Sequence, residues 1–254
     1  MKIYMHEFSR YLGELTHDDP VVRAKAATGL AKYSGAEWRD TPDAVSAAIP
    51  ALAMAFRYRR ETPEDGTFRA AATKAFGNIG AESAAIMPEL LRLLQEDTDS
   101  AVRTEAAHGL GKLGQGAETA SRTLAVVIGD PASGDTLRGE AAWALARVAP
   151  LAAGTAAALR AASDDKSGYV GVRAAEAFWK ATGEAGQAAR SLATRLNDPA
   201  VRHAAAQALN RIGPGAKGAV PALLMATKSE DRLFRESVLM ALRKIDPEAA
   251  AKAV

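Results

Sequence analysis

Apolar residues recur along this chain at helical intervals, and the same set of intervals returns seven times. Six copies align on Arg23, Arg69, Arg103, Arg138, Arg202 and Arg235, and a seventh places Gly171 in the arginine slot. Three residues after the slot stand Ala26, Ala72, Ala106, Ala141, Ala174, Ala205 and Val238. Seven after it stand Leu30, Phe76, Leu110, Leu145, Phe178, Leu209 and Leu242. Apolar residues also fill offsets −1 and 10 and small residues offset 6, from Val22, Gly29 and Tyr33 in the first copy to Phe234, Ala241 and Ile245 in the last. Offsets −1, 3, 6, 7 and 10 share one stripe of a 3.6-residue helix, so each copy predicts an amphipathic helix.

The predicted ends agree with that spacing. Asp19, Asp65, Asp99, Asp198 and Asp231 lie four residues before the slot, where a side chain can accept a hydrogen bond from the first helical N–H groups. Pro20 and Pro199 suit the first helical position, and Gly35, Gly80, Gly114, Gly183 and Gly213 suit the stop. Second helices are predicted in the gaps, among them "SAAIPALAMAFRY", "SAAIMPELLRLLQ" and "GAVPALLMATK". No alternation of apolar and polar residues bounded by hairpin turns occurs, which leaves strands unsupported. The unit is a helical hairpin recurring every 31–35 residues after one longer first interval. One hairpin cannot bury its stripe; stacked neighbours can.

The pattern D-x-x-V-R-x-x-A-A-x-A-L-x-x-I-G, with Pro50, Pro88 and Pro221 in the second helices, resembles HEAT repeats, particularly the bacterial short, phycobilisome-lyase-like form. The resemblance implies an all-α, right-handed α-solenoid of about seven HEAT-type helical hairpins, forming one domain over residues 1–254. It further implies that the aligned helices line a concave side and that the Asp and Arg slots form a ladder between repeats. Gly171 leaves that ladder without its arginine in the fifth copy. Families of this kind include scaffolds, inhibitors, chromophore lyases and DNA glycosylases, so fold alone selects no activity.

With the stripe turned inward, offsets 1, 2, 5, 8 and 9 face the groove. Offset 9 reads Lys32, Asn78, Lys112, Arg147, Lys180, Arg211 and Lys244. Such a row could steer acidic groups or follow phosphates, but the last turn of a helix favours a cation without any ligand. Glu105, Glu140 and Glu176 interrupt the positive field, and His108, Trp143, Trp179, Lys74 and Met240 complete the candidate surface. Trp143 is expected to act as an exposed anchor, whereas Trp179 could instead fill the space left by Ala181. Arg57, Arg59 and Arg60, in the excess of the first interval, form a loop candidate.

Composition narrows the chemistry. Almost half of the 254 residues are hydrophobic, but only 6% are aromatic, which points to closely packed alanine-rich helices rather than disorder. A formal charge of +2 is too small to announce a nucleic-acid binder. The chain has no cysteine, which excludes disulfides and thiolate chemistry, and its four histidines form no HxxxH pair. The opening "MKIYMHEFSRYLGEL" lacks the apolar run of a signal peptide, and a cytoplasmic protein is expected. The expected function is a non-enzymatic protein–protein interaction scaffold that holds a partner segment in its groove, with no cofactor, metal or membrane. Two alternatives remain: a nucleic-acid-binding protein, DNA-glycosylase-like, using the basic row, and a lyase-type enzyme centred on His108.

Overall fold

The computed structural model describes residues 5–56, 62–79, 86–114, 118–148 and 154–253. In chain order the helices are α1 (Met5–Glu14), α2 (Pro20–Leu30), α3 (Gly35–Arg39), α4 (Pro42–Ala55), α5 (Pro63–Ile79), α6 (Ile86–Glu96), α7 (Ser100–Leu113) and α8 (Glu118–Gly129). There follow α9 (Asp135–Leu145), α10 (Thr155–Ser163), α11 (Gly168–Thr182), α12 (Ala185–Arg195), α13 (Arg202–Ile212), α14 (Val220–Ala226), α15 (Arg232–Ile245) and α16 (Pro247–Lys252). The described residues form helices and turns only, and none of the helices is long and apolar enough to cross a membrane.

Two compact units divide the chain: residues 1–123 with 147–150, and residues 124–146 with 151–254. In the first, the slot helices α2, α5 and α7 pack flank to flank, with α4 and α6 behind them. In the second, α9, α11, α13 and α15 form the corresponding layer and α10, α12 and α14 the one behind. The repeated stripe is the core of each unit: Ala26, Ala72, Ala106, Ala141, Ala174 and Ala205 are fully buried, as are Leu30, Leu110, Leu145, Leu209 and Leu242. Burial also extends to offset 4, at Ala27, Thr73, Ala107, Ala142, Ala175 and Ala206, because a neighbour covers each inner helix on either flank. Methyl-sized side chains there bring the helices close. α5 and α7 approach closely: a Cβ placed on Gly77 would lie 2.7 Å from the Gly109 Cα.

Caps follow the sequence reading in part. Asp19, Asp99 and Asp231 accept hydrogen bonds from the N–H groups of Val21, Ala101 and Phe234, at 2.8, 2.9 and 3.1 Å. Gly114 and Gly213, at φ 70°, and Gly183, at φ 77°, end their helices. Three positions behave differently. Asp65 lies inside α5, where Thr62 supplies the hydroxyl to its N–H. Asp198 and Pro199 form a turn ahead of α13, with the Asp198 carboxylate accepting from Ala200 N–H at 3.0 Å. Gly35 opens α3 rather than closing α2, because Ser34 and Glu37 form a reciprocal cap there. That extra helix places Trp38 in the interior, edge-on to Phe8 and Tyr33 at ring-centre separations of 5.4 and 6.0 Å.

The arginine ladder exists, and its arginines make two kinds of contact, both of them seen together at Arg23 and Arg138. One kind goes to a backbone carbonyl that precedes the slot helix: Arg103 Nε donates to Leu94 O at 2.9 Å, Arg138 Nε to Ile128 O at 2.9 Å, and Arg23 Nη1 to His17 O at 2.7 Å. The other kind, made by the tips of four of them, reaches forward to an aspartate of the next repeat. Arg23 pairs with Asp65 at 2.7 Å, Arg69 with Asp97 at 3.0 Å, Arg138 with Asp165, and Arg202 with Asp231 at 2.8 Å. Burial disfavours the charge on Asp65, yet hydrogen bonds from Arg23 and Thr62 hold its carboxyl below the usual carboxylate range. In the copy with Gly171, the guanidinium of Arg195, from α12, occupies the slot. A Cβ on Gly171 would lie 2.7 Å from that group, which donates to the Asp165 backbone carbonyl.

Candidate functional site

The offset-9 residues are exposed except Asn78, and this exception explains the row. Asn78 is buried and donates to Ala31 O at 2.9 Å and Tyr33 O at 3.2 Å, satisfying carbonyls left over at the end of α2. Lys112 Nζ in turn donates to the Asn78 side-chain oxygen, and Arg147 Nε donates to Gly111 O at 3.3 Å. These side chains reach back to the preceding repeat, where partial negative charge gathers at a helix C-terminus. Burial, aided by the charge of Lys74 and opposed by Glu105, lowers the pKa of Lys112.

In the second unit the basic candidates are bound to carboxylates. Arg211 grips Glu176 through two hydrogen bonds of 2.9 and 2.7 Å, and Lys180 approaches the same carboxylate at 2.9 Å. Burial works against the Glu176 charge, but these two cations win and hold its pKa below the ordinary glutamate value. Glu140 accepts from the Tyr169 hydroxyl at 2.9 Å and pairs with Arg173. The Tyr169 ring lies so close over Gly139 that any Cβ there would overlap it.

Trp143 is half-buried on α9, while Trp179 packs against the core of α11–α13, in keeping with a gap-filling indole. Met240 is 59% exposed, and Leu233, two turns earlier on the same face of α15, is 68% exposed. Glu105 and His108 are half-buried on α7. Among the described residues no three or more His, Asp or Glu side chains gather into a set able to hold a metal ion. Arg57, Arg59 and Arg60 lie outside the described residues.

The first unit carries an open cleft that the sequence alone does not reveal. One lobe, of about 710 Å³, lies across α2, α5 and α7 and brings together Lys32, Lys74 and Glu105. A second, of about 630 Å³, lies between α1 and α2 and shares Thr28, Lys32 and Thr67 with the first. Tyr11 walls the second lobe, its ring held over Gly29, where a Cβ would lie 2.5 Å from the ring. Lys25 and Lys32 stand at groove-facing offsets in the sequence. Nothing in the periodicity tells which cations the neighbouring repeat will consume.

Comparison with known proteins bears on the fold. The family model described as HEAT repeats matches residues 56–146 and 187–254, more than half of the chain. An engineered protein of known structure is similar at 19% identity and a TM-score of 0.50, covering 94% of this chain and 98% of its own. A designed armadillo repeat protein is similar at 16% identity and a TM-score of 0.50, covering 94% of this chain and 100% of its own. At such identities the likeness concerns the fold alone. No curated protein matches the chain. Recurring helix pairs, the forward Arg–Asp rungs and the family match agree: this chain is an all-α solenoid and belongs to the HEAT-repeat family.

Proposed function

We propose that the protein is a non-enzymatic scaffold whose slot helices hold a segment of a partner protein, with all 254 residues acting as one array. The observation that carries this reading is the open cleft across α2, α5 and α7, a concave surface left over after packing and ladder contacts are satisfied. Repeat stacks present such a surface preformed, so little conformational freedom is lost when a segment settles on it. Lys74 and Glu105 line the cleft directly. His108, Lys112 and Arg147 in the first unit, and Glu140, Trp143, Glu176, Trp179, Lys180, Arg211 and Met240 in the second, are proposed to contact the partner as well.

A phosphate-following reading is less well supported. Lys112, Arg147, Lys180 and Arg211 already donate to Asn78, a backbone carbonyl or Glu176, so a polyanion would have to displace those partners. Affinity capture from the native host, followed by mass spectrometry, tests the scaffold. The tagged wild type, Trp143→Ala and Lys74→Glu are compared after circular dichroism has verified their folding. Loss of one and the same protein from either variant supports the reading. Identical capture by all three, or recovery of nucleic acid in place of protein, overturns it.

A further inference from the structure

We propose that the cleft of the first unit takes an acidic, extended peptide segment, with Lys25, Lys32 and Lys74 pairing its carboxylates. This rests on the scaffold reading and names the chemistry of the partner. The first ground is availability. Lys25, Lys32 and Lys74 are exposed on the cleft wall, and among the described residues none of the three carries an ion pair. On the slot helices of the second unit, by contrast, Arg173, Lys180 and Arg211 are held by Glu140 or Glu176.

Spacing supplies the second ground. Lys25, on α2, and Lys32, in the turn that follows its last residue, are separated by about 10 Å at the helical rise per residue. Lys74 lies on the adjacent α5, and packed helix axes stand about 8–10 Å apart. An extended chain advances about 3.3 Å per residue, so carboxylates three residues apart match the separation of Lys25 and Lys32. The floor between the lysines consists of Ala31, Gly66, Ala70 and Ala71, small enough for a backbone to lie close. Tyr11 and the 42%-exposed Val21 offer apolar contact at one end.

The third ground separates a peptide from a nucleic acid. Glu14, itself paired with Arg10, and Glu64, Asp99 and Glu105 line the same cleft. They would repel an unbroken run of phosphates, whereas a peptide places its N–H groups between its carboxylates and can donate to them.

Fluorescence anisotropy on the full chain tests the inference, with a labelled peptide of repeated Glu-Val-Ala triplets as probe. Saturable binding is expected, weakening at physiological salt, with no binding of the matching Gln-Val-Ala peptide. K25E/K32E/K74E should lose at least about tenfold in affinity with an unchanged circular dichroism spectrum, because rim charges that lack partners leave the fold alone. Ala71→Trp, which obstructs the floor without touching charge, should also weaken binding. Undiminished affinity in both variants, or tighter binding of duplex DNA than of the peptide, overturns the inference. If the peptide fails to bind while host capture still depends on Trp143, the acidic-segment inference falls and the scaffold reading stands. If capture is also indifferent to every slot-helix substitution, both fall.

Discussion

The two units assign their charged side chains differently. In the first, the ladder rungs are buried: side-chain exposure is 8% and 7% for Arg23 and Asp65, and 4% and 11% for Arg69 and Asp97. The cleft wall of that unit keeps lysines without carboxylate partners. In the second, burial falls off along the ladder: the Arg138–Asp165 rung is 9% and 18% exposed, the Arg202–Asp231 rung 27% and 30%, and Asp231 is shared with His203 at 3.1 Å. There the cross-repeat ion pairs also occupy the slot-helix face, at Glu140 with Arg173 and Glu176 with Arg211. A repeat array can thus place its electrostatic cohesion at the hairpin ends and leave its face open, or spread it over the face itself.

Removing a buried rung is the largest way to break this contrast. Arg23→Ala strands Asp65 and frees the His17 and Asp18 carbonyls, and a loss of about 3 kcal/mol in urea denaturation is expected, as for opening a buried pair. Arg202→Ala should cost clearly less. Equal losses would erase the distinction between the ladders.

Gly77→Ala comes next. Its methyl group meets the Gly109 backbone, which cannot swing aside, so about 1–2 kcal/mol should be lost despite the better helix propensity of alanine. At Gly139 the obstacle is the Tyr169 ring, which can rotate away and surrender its hydrogen bond to Glu140, so Gly139→Ala should be the milder of the two. The reverse order in thermal melting would mean that the tight crossing of α5 and α7 is not the rigid point of the first unit.

Acid titration separates the rungs more gently. The pKa values of Asp65 and Asp165 are depressed in the folded chain, where burial is outweighed by hydrogen bonds from Arg23 and Thr62 in one case and from Arg138 and Ser167 in the other. Their contribution is complete above the unfolded aspartate pKa of about 3.9 and is lost as pH falls from there through the lower folded values. Asp65→Asn should therefore flatten the acid limb of the stability profile while lowering stability at neutral pH. An unaltered acid limb would exclude Asp65 as a contributor.

The smallest expected effect sharpens the comparison most directly. E140Q/E176Q releases Arg173, Lys180 and Arg211 at a stability cost within about 1 kcal/mol per pair, since these pairs are partly solvated. The second unit should then gain affinity for the Glu-Val-Ala peptide. No gain would show that unpaired cations alone do not make a docking face.

Much of the fold was legible because the stripe states its own burial: Ala106, Leu110 and Leu113 can satisfy an apolar face only by stacking. Other features depend on through-space neighbours. The turn supplied by Thr62 moves Asp65 from a helix cap to a rung, and Ser34 with Glu37 turns Gly35 from a stop into a start. Trp38 lies in a five-residue helix, too short to show a period. The candidate surface was legible as a set of offsets. Which offsets stay available was not, since Glu176 and Arg211 are separated by 35 residues and meet only once the repeats are stacked.

The guanidinium that fills the slot at Gly171 comes from α12, the helix after the slot helix of that copy. Any graft that exchanges α11 while drawing its boundary ahead of α12 would carry Gly171 away from the group that fills its hollow. A transplantable module of this protein therefore runs through Leu196, beyond the last residue of α12. A chimera cut there should keep its seam, whereas one cut at Gly183 would juxtapose two guanidinium groups or none.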